Sequence, residues 1–202
     1  MHKAESAAQR GRPREFDTEK ALDRALEVFW RKGYEGASIS ELTDAMGINR
    51  PSLYAAFGNK EDLFRKALDR YSAGPAAYAY KVFEEPTARG VVERLLRERA
   101  DALTDPHNPH GCLGVQSALA CGDAAQLIKD EMCRRQAAWQ DALRKRLEQA
   151  KREGDLASTV NCTDLAQYIA IVVQGMAVQA AGGATRQQLR RVADLVLQGW
   201  PG

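Results

Sequence analysis

The stretch INRPSLYAAFGNKEDLF, running from Ile48 to Phe64, decides the fold. Asn49 is placed to cap a helix, Pro51 falls in its first turn where a missing N–H costs nothing, and Gly58 ends it about two turns later. Asn59 then opens another helix, whose first turn carries Glu61 and Asp62, the charges its dipole favours. A helix of two turns gains too little from propagation to stand alone. Leu53, Ala56 and Phe57 are spaced to pack inward. Arg50, Pro51, Ser52, Tyr54 and Ala55 are left on a side that cannot face a core, with Arg50 and Tyr54, and Pro51 and Ala55, as i, i+4 neighbours.

The residues before this stretch explain that side. Leu22, Ala25, Leu26 and Phe29 predict a first helix over about residues 18–32, capped by Asp17 and stopped by Gly33. Ser38 and Glu41 form an S-x-x-E capping box ahead of Leu42, Ala45 and Met46, and Gly47 suits a left-handed stop. Gly47, Ile48 and Asn49 then make a three-residue turn between two short helices, with Ile48 and Leu53 as a hydrophobic staple; this is the signature of a helix-turn-helix. The outward face of the second short helix is that of a recognition helix in a major groove, its N-terminal residues nearest the base edges.

Residues from about Phe16 to Tyr71, above all ASISELTDAMGINRPSLYAAFGNKEDLFRKAL, resemble the DNA-binding domain of the TetR family of bacterial transcriptional regulators. The resemblance rests on the Ser opening helix two, L-Y-x-x-F, the G-N-K turn and E-x-L-F. It implies a homodimer that represses transcription from a palindromic double-stranded operator and is released by a small molecule bound in the body. It further implies that Ser38, Tyr54 and Lys60 contact phosphates, and that Arg50, Pro51, Ser52 and Ala55 face the groove. Position 52 is Ser where many members have Thr, and position 55 is Ala where many have an aromatic or His. Fewer side chains then reach the bases, which shifts sequence preference towards DNA shape.

Elementary physics supports these roles. Ser38 and Lys60 sit at helix N-termini, where an anion is favoured. Arg50 could bond bidentately to guanine O6 and N7, worth ~1–3 kcal/mol of discrimination, or contact a phosphate instead. The leading arm, residues 1–16, holds Arg10, Arg12 and Arg14 in QRGRPRE and can reach an adjacent minor groove.

Bulk composition is neutral on the matter. With 202 residues, 45% hydrophobic and 28% charged, the chain is globular material for one large domain or a small one and a larger one. Its net charge is only +2, and residues 1–70 hold 13 Lys and Arg against 12 Asp and Glu, so the case for DNA rests on local arrangement. The start has no apolar leader, which points to the cytoplasm. The uncharged run from Leu165 to Thr185 has the length of a membrane span, but Gln167, Gln174, Gln179 and three glycines favour a helix buried within protein.

Beyond Pro86 the pattern stays helical, and no segment alternates like a strand. Val91, Val92, Leu95, Leu96 and Leu103 mark one helix; TDPHNPHGC, Thr104 to Cys112, breaks the pattern. A long helix follows from about residue 124 to 153, with Leu127, Ile128, Met132, Trp139, Leu143, Leu147 and Ala150 on its apolar side. Two more open at Asn161 and Thr185. The expected class is all-α: a helix-turn-helix domain of three helices over residues 17–60, then a larger helical effector-binding and dimerisation domain over residues 61–202. If the resemblance holds, residues 162–181 and 185–199 build the dimer's four-helix bundle. Gly175, Ala177 and Ala180 would allow close approach there, and Leu189, Val192, Val196 and Trp200 would supply apolar area.

Gln116, Met132, Arg135, Trp139, Tyr168 and Gln174, polar or soft residues within apolar helices, are candidate lining for an effector pocket. The few charges among them point to a largely apolar or aromatic molecule. Cys112, Cys121, Cys133 and Cys162 show no CxxC pairing and read as structural, half-buried thiols; no neighbouring base or resolving partner is legible for a switch at Cys112 or Cys121. His107, His110 and Cys112 have metal-like spacing, but the prolines and the lack of a fourth ligand favour a structured loop. No Gly-rich phosphate loop, HExxH or GxSxG is present, so neither an enzyme nor a bound cofactor is expected. An activator, or a metal- or thiol-responsive sensor on the same fold, is the alternative.

Overall fold

The computed structural model describes residues 16–119 and 125–201, so Arg12 and Arg14 of the leading arm, and Cys121, lie outside the described residues. The N-terminal part is set by its caps. In α1, Thr18–Gly36, Asp17 Oδ1 accepts the N–H groups of Glu19 and Lys20 at 3.1 Å, and Gly33, with φ 70°, interrupts the helix so that its last turn is separate. The capping box of α2, Ile39–Met46, is closed by Ser38 N–H donating to Glu41 Oε2 at 3.0 Å and Glu41 N–H donating to Ser38 Oγ at 3.2 Å. Gly47, at φ 69°, turns the chain into α3, Arg50–Phe57, where Asn49 Oδ1 accepts Ser52 N–H at 2.9 Å. Gly58 and the Asn59–Asp62 capping box then start α4, Lys60–Ala73.

These helices surround Phe29, Leu42, Leu53, Leu63 and Phe64, all fully buried. Phe29 and Tyr34 meet Phe64 edge-on at 5.0 and 5.2 Å. Arg70 of α4 reaches back to Asp23 at 2.8 Å and Glu19 at 2.7 Å, so α4 is fastened along α1 by charge as well as by aromatic packing. Ala56 departs from expectation: it is exposed, because only the i, i+4 pair Leu53 and Phe57 faces the core and the residue between them is rotated to the rim.

The body comprises α5, Tyr78–Lys81, a single 3-10 turn at Val82–Glu84, α6, Ala88–Leu103, α7, Leu113–Leu119, α8, Gln126–Arg152, α9, Cys162–Ala181, and α10, Arg186–Gln198. Neither α5 nor the 3-10 turn is visible in the sequence pattern, since one turn is too short to show a period. α9 packs on α8 and α6, α10 packs on α6, and α7 touches both α1 and α8. Leu127 departs from the apolar side assigned to the long helix: it is 61% exposed, one step round from the fully buried Ile128. Cys133 is exposed, whereas Cys112 and Cys162 are buried. Among the described residues there is no strand, and no helix long and apolar enough to cross a membrane.

Candidate DNA interface and effector cavity

On α3, Arg50, Pro51, Tyr54 and Ala55 are exposed and Ser52 is half-buried, while Leu53 and Phe57 alone are buried. Tyr54 is half exposed, at 50%. The helix is therefore pinned at both caps and by two apolar side chains, and the rest of its surface is available. Lys60 Nζ sits 4.5 Å above the centre of the Tyr34 ring, a cation–π contact at the start of α4.

Ser38 is more committed than its exposure suggests. Its hydroxyl donates to Glu41 Oε2 at 2.9 Å and accepts Glu41 N–H, so a phosphate at this helix end must share or displace that carboxylate. Glu41 in turn is paired with Lys32. That pairing, followed by the Ser38 N–H, holds the Glu41 carboxyl down to about 2.

The body encloses a cavity of about 160 Å³ between α4, α5, α6, α7, α8 and α9. Met132, Arg135, Trp139 and Gln174 line it, as do Leu68, Tyr71, Tyr80, Arg99, Cys112 and Val173. Gln116 and Tyr168 do not: Gln116 Nε2 donates to the His110 carbonyl at 3.2 Å, and Tyr168 is 48% exposed on the far side of α9. Trp139 is fixed by donating to the Ala79 carbonyl at 2.9 Å, and Arg135 by Glu131 at 2.7 Å and Asp69 of α4 at 2.8 Å. Exposed Ser72 and Tyr80 among the lining residues connect the cavity to solvent.

Arg99 and Cys112 were not legible as a pair. Arg99 is only 7% exposed, donates to the Val173 carbonyl at 3.2 Å, and has no carboxylate partner among the described residues. Burial pushes the Cys112 thiol up, but the Arg99 guanidinium, the Tyr71 hydroxyl and the N–H groups of Val115 and Gly114 outweigh it, leaving the thiol below its ordinary range. Burial, then the Cys112 sulfur, push Tyr71 well above its ordinary value, so Tyr71 stays protonated as the donor. The signal available in the sequence was position: Arg99 falls on the stripe of Val92, Leu95, Leu96 and Leu103, where a solvated arginine has no place. His107 and His110 are not buried, and no group of three His, Cys, Asp or Glu among the described residues could hold a metal ion.

Residues 21–67 match "Bacterial regulatory proteins, tetR family", and residues 86–196 match "Tetracyclin repressor-like, C-terminal domain". The chain belongs to the TetR family. It is 34% identical over 194 residues to the HTH-type transcriptional repressor ComR of Escherichia coli K12, covering 95% of this chain and 92% of that one. A solved structure of the TetR family regulator CifR, a cysteine mutant complexed with 26-bp double-strand operator DNA, superimposes with a TM-score of 0.90 at 41% identity, covering 94% of this chain and all of that one. A putative TetR regulator from Rhodococcus sp. RHA1 is 42% identical with a TM-score of 0.63, covering 92% of this chain and all of that one. This TetR-family chain is thus a DNA-binding transcriptional regulator and not an enzyme.

The candidate dimer residues of this TetR-family chain divide sharply. Ala177, Ala180, Leu189 and Val196 are buried within the protomer, where α9 packs on α6 and α8 and α10 on α6, so they offer a second copy no surface. Gly175 and Val192 are exposed and Trp200 is half-buried. Of the eight exposed large hydrophobic residues among the described residues, five lie on α9 and α10: Tyr168, Ile171, Val178, Val192 and Leu195. Both sides of α9 and α10 carry apolar residues, so residue type alone does not separate the inward side from the outward one.

Proposed function

We propose that the protein is a transcriptional repressor that binds a palindromic operator as a homodimer and is released by a small, largely apolar molecule entering the cavity. The observation that carries this is α3, which buries two residues and presents Arg50, Pro51, Ser52, Tyr54 and Ala55 outward. In a two-fold dimer the two α3 helices enter successive major grooves, roughly 34–36 Å apart in the simplest case. Arg50 reads base edges or holds a phosphate; Tyr54, Lys60 and the α2 start at Ser38 hold the backbone; Arg12 and Arg14 follow the minor groove. ComR bears the name of a repressor, and the CifR structure holds operator DNA, which supports the same role here.

The dimer forms through the outward apolar side of α9 and α10, with Ile171, Val178, Val192 and Leu195 as the area and Gly175 as the point of close approach. The division near residue 60 leaves α4 as the shared element, bonded to α1 through Arg70 and to α8 through Asp69. An effector acts only through its differential affinity for the DNA-competent and released geometries. Work on the chromosome places the protein in the cytoplasm.

Fluorescence anisotropy on duplex DNA from upstream of its own gene, at two salt concentrations, tests the reading. Saturable, salt-sensitive binding that exceeds random DNA and is lost in Tyr54→Ala is expected. Binding to that duplex that survives Tyr54→Ala and Arg50→Ala undiminished would remove α3 as the reading element.

A further inference from the structure

We propose that Cys112 is a covalent effector site, whose sulfur, set in the wall of the apolar cavity beside a buried arginine without a carboxylate partner, captures an α,β-unsaturated carbonyl compound by conjugate addition. This rests on the reading of the chain as an operator-binding regulator gated from that cavity. A guanidinium as deeply buried as Arg99 is expensive without a counter-anion. Among the described residues no Asp or Glu supplies one. The groups facing Cys112 are Arg99 of α6, Tyr71 of α4 and, beyond Arg99, Tyr78 of α5; α9 contributes Ala170, Val173 and Gln174, all uncharged, and α8 contributes Arg135 at the cavity wall. In this ring of cations and protonated phenols, the thiol is the group suited to carry the negative charge. A thiolate is the nucleophilic form of cysteine. Gly114 lines the same cavity, and a Cβ at that position would lie 3.9 Å from the Cys112 sulfur, in ordinary van der Waals contact.

The remaining lining selects the reactant. Leu68, Ala76, Ala79, Val115, Met132 and Trp139 favour a carbon skeleton over a hydrated oxidant. No second cysteine among the described residues lines the cavity to resolve an oxidised sulfur. In the addition, a sulfur lone pair forms the S–C bond at the β-carbon and the C=C π pair moves towards the carbonyl oxygen, near the positive charge of Arg99. The enolate then takes up one proton at the α-carbon, equivalent to the proton the thiol had released. Nothing is oxidised or reduced overall by an outside reagent, and nothing leaves.

The adduct is a neutral thioether, so Arg99 is left without its counter-anion. The disturbance falls on the residue next to Gly111, whose carbonyl accepts the Trp30 indole N–H of α1 at 3.1 Å. Alkylation thereby reaches the helix that supports the DNA-reading unit.

The test uses the full-length protein, cyclohex-2-enone, and cyclohexanone as a partner of similar shape that cannot add. Intact mass and peptide mapping at about pH 6 should show one adduct, on Cys112 ahead of the exposed Cys133. The rate should fall less steeply from about pH 8 to pH 6 in the wild type than for an ordinary thiol. In Arg99→Met and Tyr71→Phe it should move towards ordinary thiol behaviour, falling up to about tenfold per pH unit. Enone should release bound operator from the wild type and leave Cys112→Ser bound, while cyclohexanone at the same concentration releases neither. An adduct on Cys133 alone, or release of Cys112→Ser by enone and cyclohexanone alike, would overturn the covalent site; the second result would leave the cavity as an ordinary effector site. If Cys112→Ser fails to fold, the wild-type adduct map and its pH profile still decide. Absence of DNA binding before enone is added would count against the repressor reading, while the adduct map would still judge Cys112.

Discussion

Trp30 Nε1 donates a buried hydrogen bond to the Gly111 carbonyl, 3.1 Å away across 81 residues of chain. It ties the helix behind the DNA-reading unit to the loop beside the cavity, and Tyr71 of α4 packs edge-on against the same indole at 4.7 Å. With Arg70 joining α4 to α1, and Arg135 joining α4 to α8, cavity and reading head share one set of fastenings.

Trp30→Phe keeps an aromatic ring but strands the Gly111 carbonyl. Leaving a buried acceptor unpaired costs about 1–3 kcal/mol. Urea unfolding followed by circular dichroism should show a lower midpoint with an unchanged slope. An unchanged midpoint would mean that the bond does not hold the two parts together.

Arg50→Ala and Lys60→Ala should fail differently on DNA. Removing the Arg50 guanidinium from a base edge should relax preference at one position of each half-site by about 1–3 kcal/mol. Removing the Lys60 ammonium from a phosphate should weaken all sequences alike and lower the salt slope by about 1. Titrations across single-base operator variants at several salt concentrations separate the two; a changed base preference in Lys60→Ala would refute its phosphate role.

The Glu41 carboxyl, held at about 2 by Lys32 and Ser38 against an ordinary 4.5, stabilises the start of α2. Because its folded value is depressed, its contribution is present above the unfolded value and is lost as pH falls from 4.5 towards 2. Between about pH 5 and pH 3 the wild type should lose more stability than Glu41→Gln, read from urea midpoints. Equal losses would show that the capping carboxylate is not coupled to folding.

Substitutions on α9 and α10 should separate the two sides of each helix. Ile171→Glu and Leu195→Glu alter residues that are 58% and 66% exposed, so each protomer should stay folded while the dimer is lost in sedimentation equilibrium. Leu189→Ala, by contrast, should cost about 2–5 kcal/mol of protomer stability. A Leu195→Glu protein that remains dimeric would place the interface elsewhere.

Much of the fold was legible because its signals are local. Asp17, Ser38, Asn49, Asn59, Asn161 and Thr185 each accept the N–H groups their helix ends leave open, and such caps need no knowledge of tertiary structure. The side of a helix is harder to read when both sides are apolar. Ile171 and Ile169 differ only in what lies beside them, and the sequence does not show that α6 and α8 take one side. The cavity was half visible: Trp139 and Met132 are soft residues on a long helix, while Arg99 lies among the charges of RLLRERA and only its place on the apolar stripe of the helix marks it as buried. Cys112 acquires its character from residues 41 and 13 positions away, Tyr71 and Arg99, which only folding brings together.

The most direct measurement starts from the duplexes the full-length protein enriches from a random-sequence pool, followed by anisotropy on the enriched sequence at about 50 and 200 mM salt. The expected site has two inverted half-sites centred about one helical turn, or a multiple, apart. It should bind at least ~10³-fold more tightly than random duplex and lose that advantage in Tyr54→Ala and Arg50→Ala. No enrichment, or an enriched site bound equally well by both variants, would contradict the assignment of α3 as the helix that reads the operator.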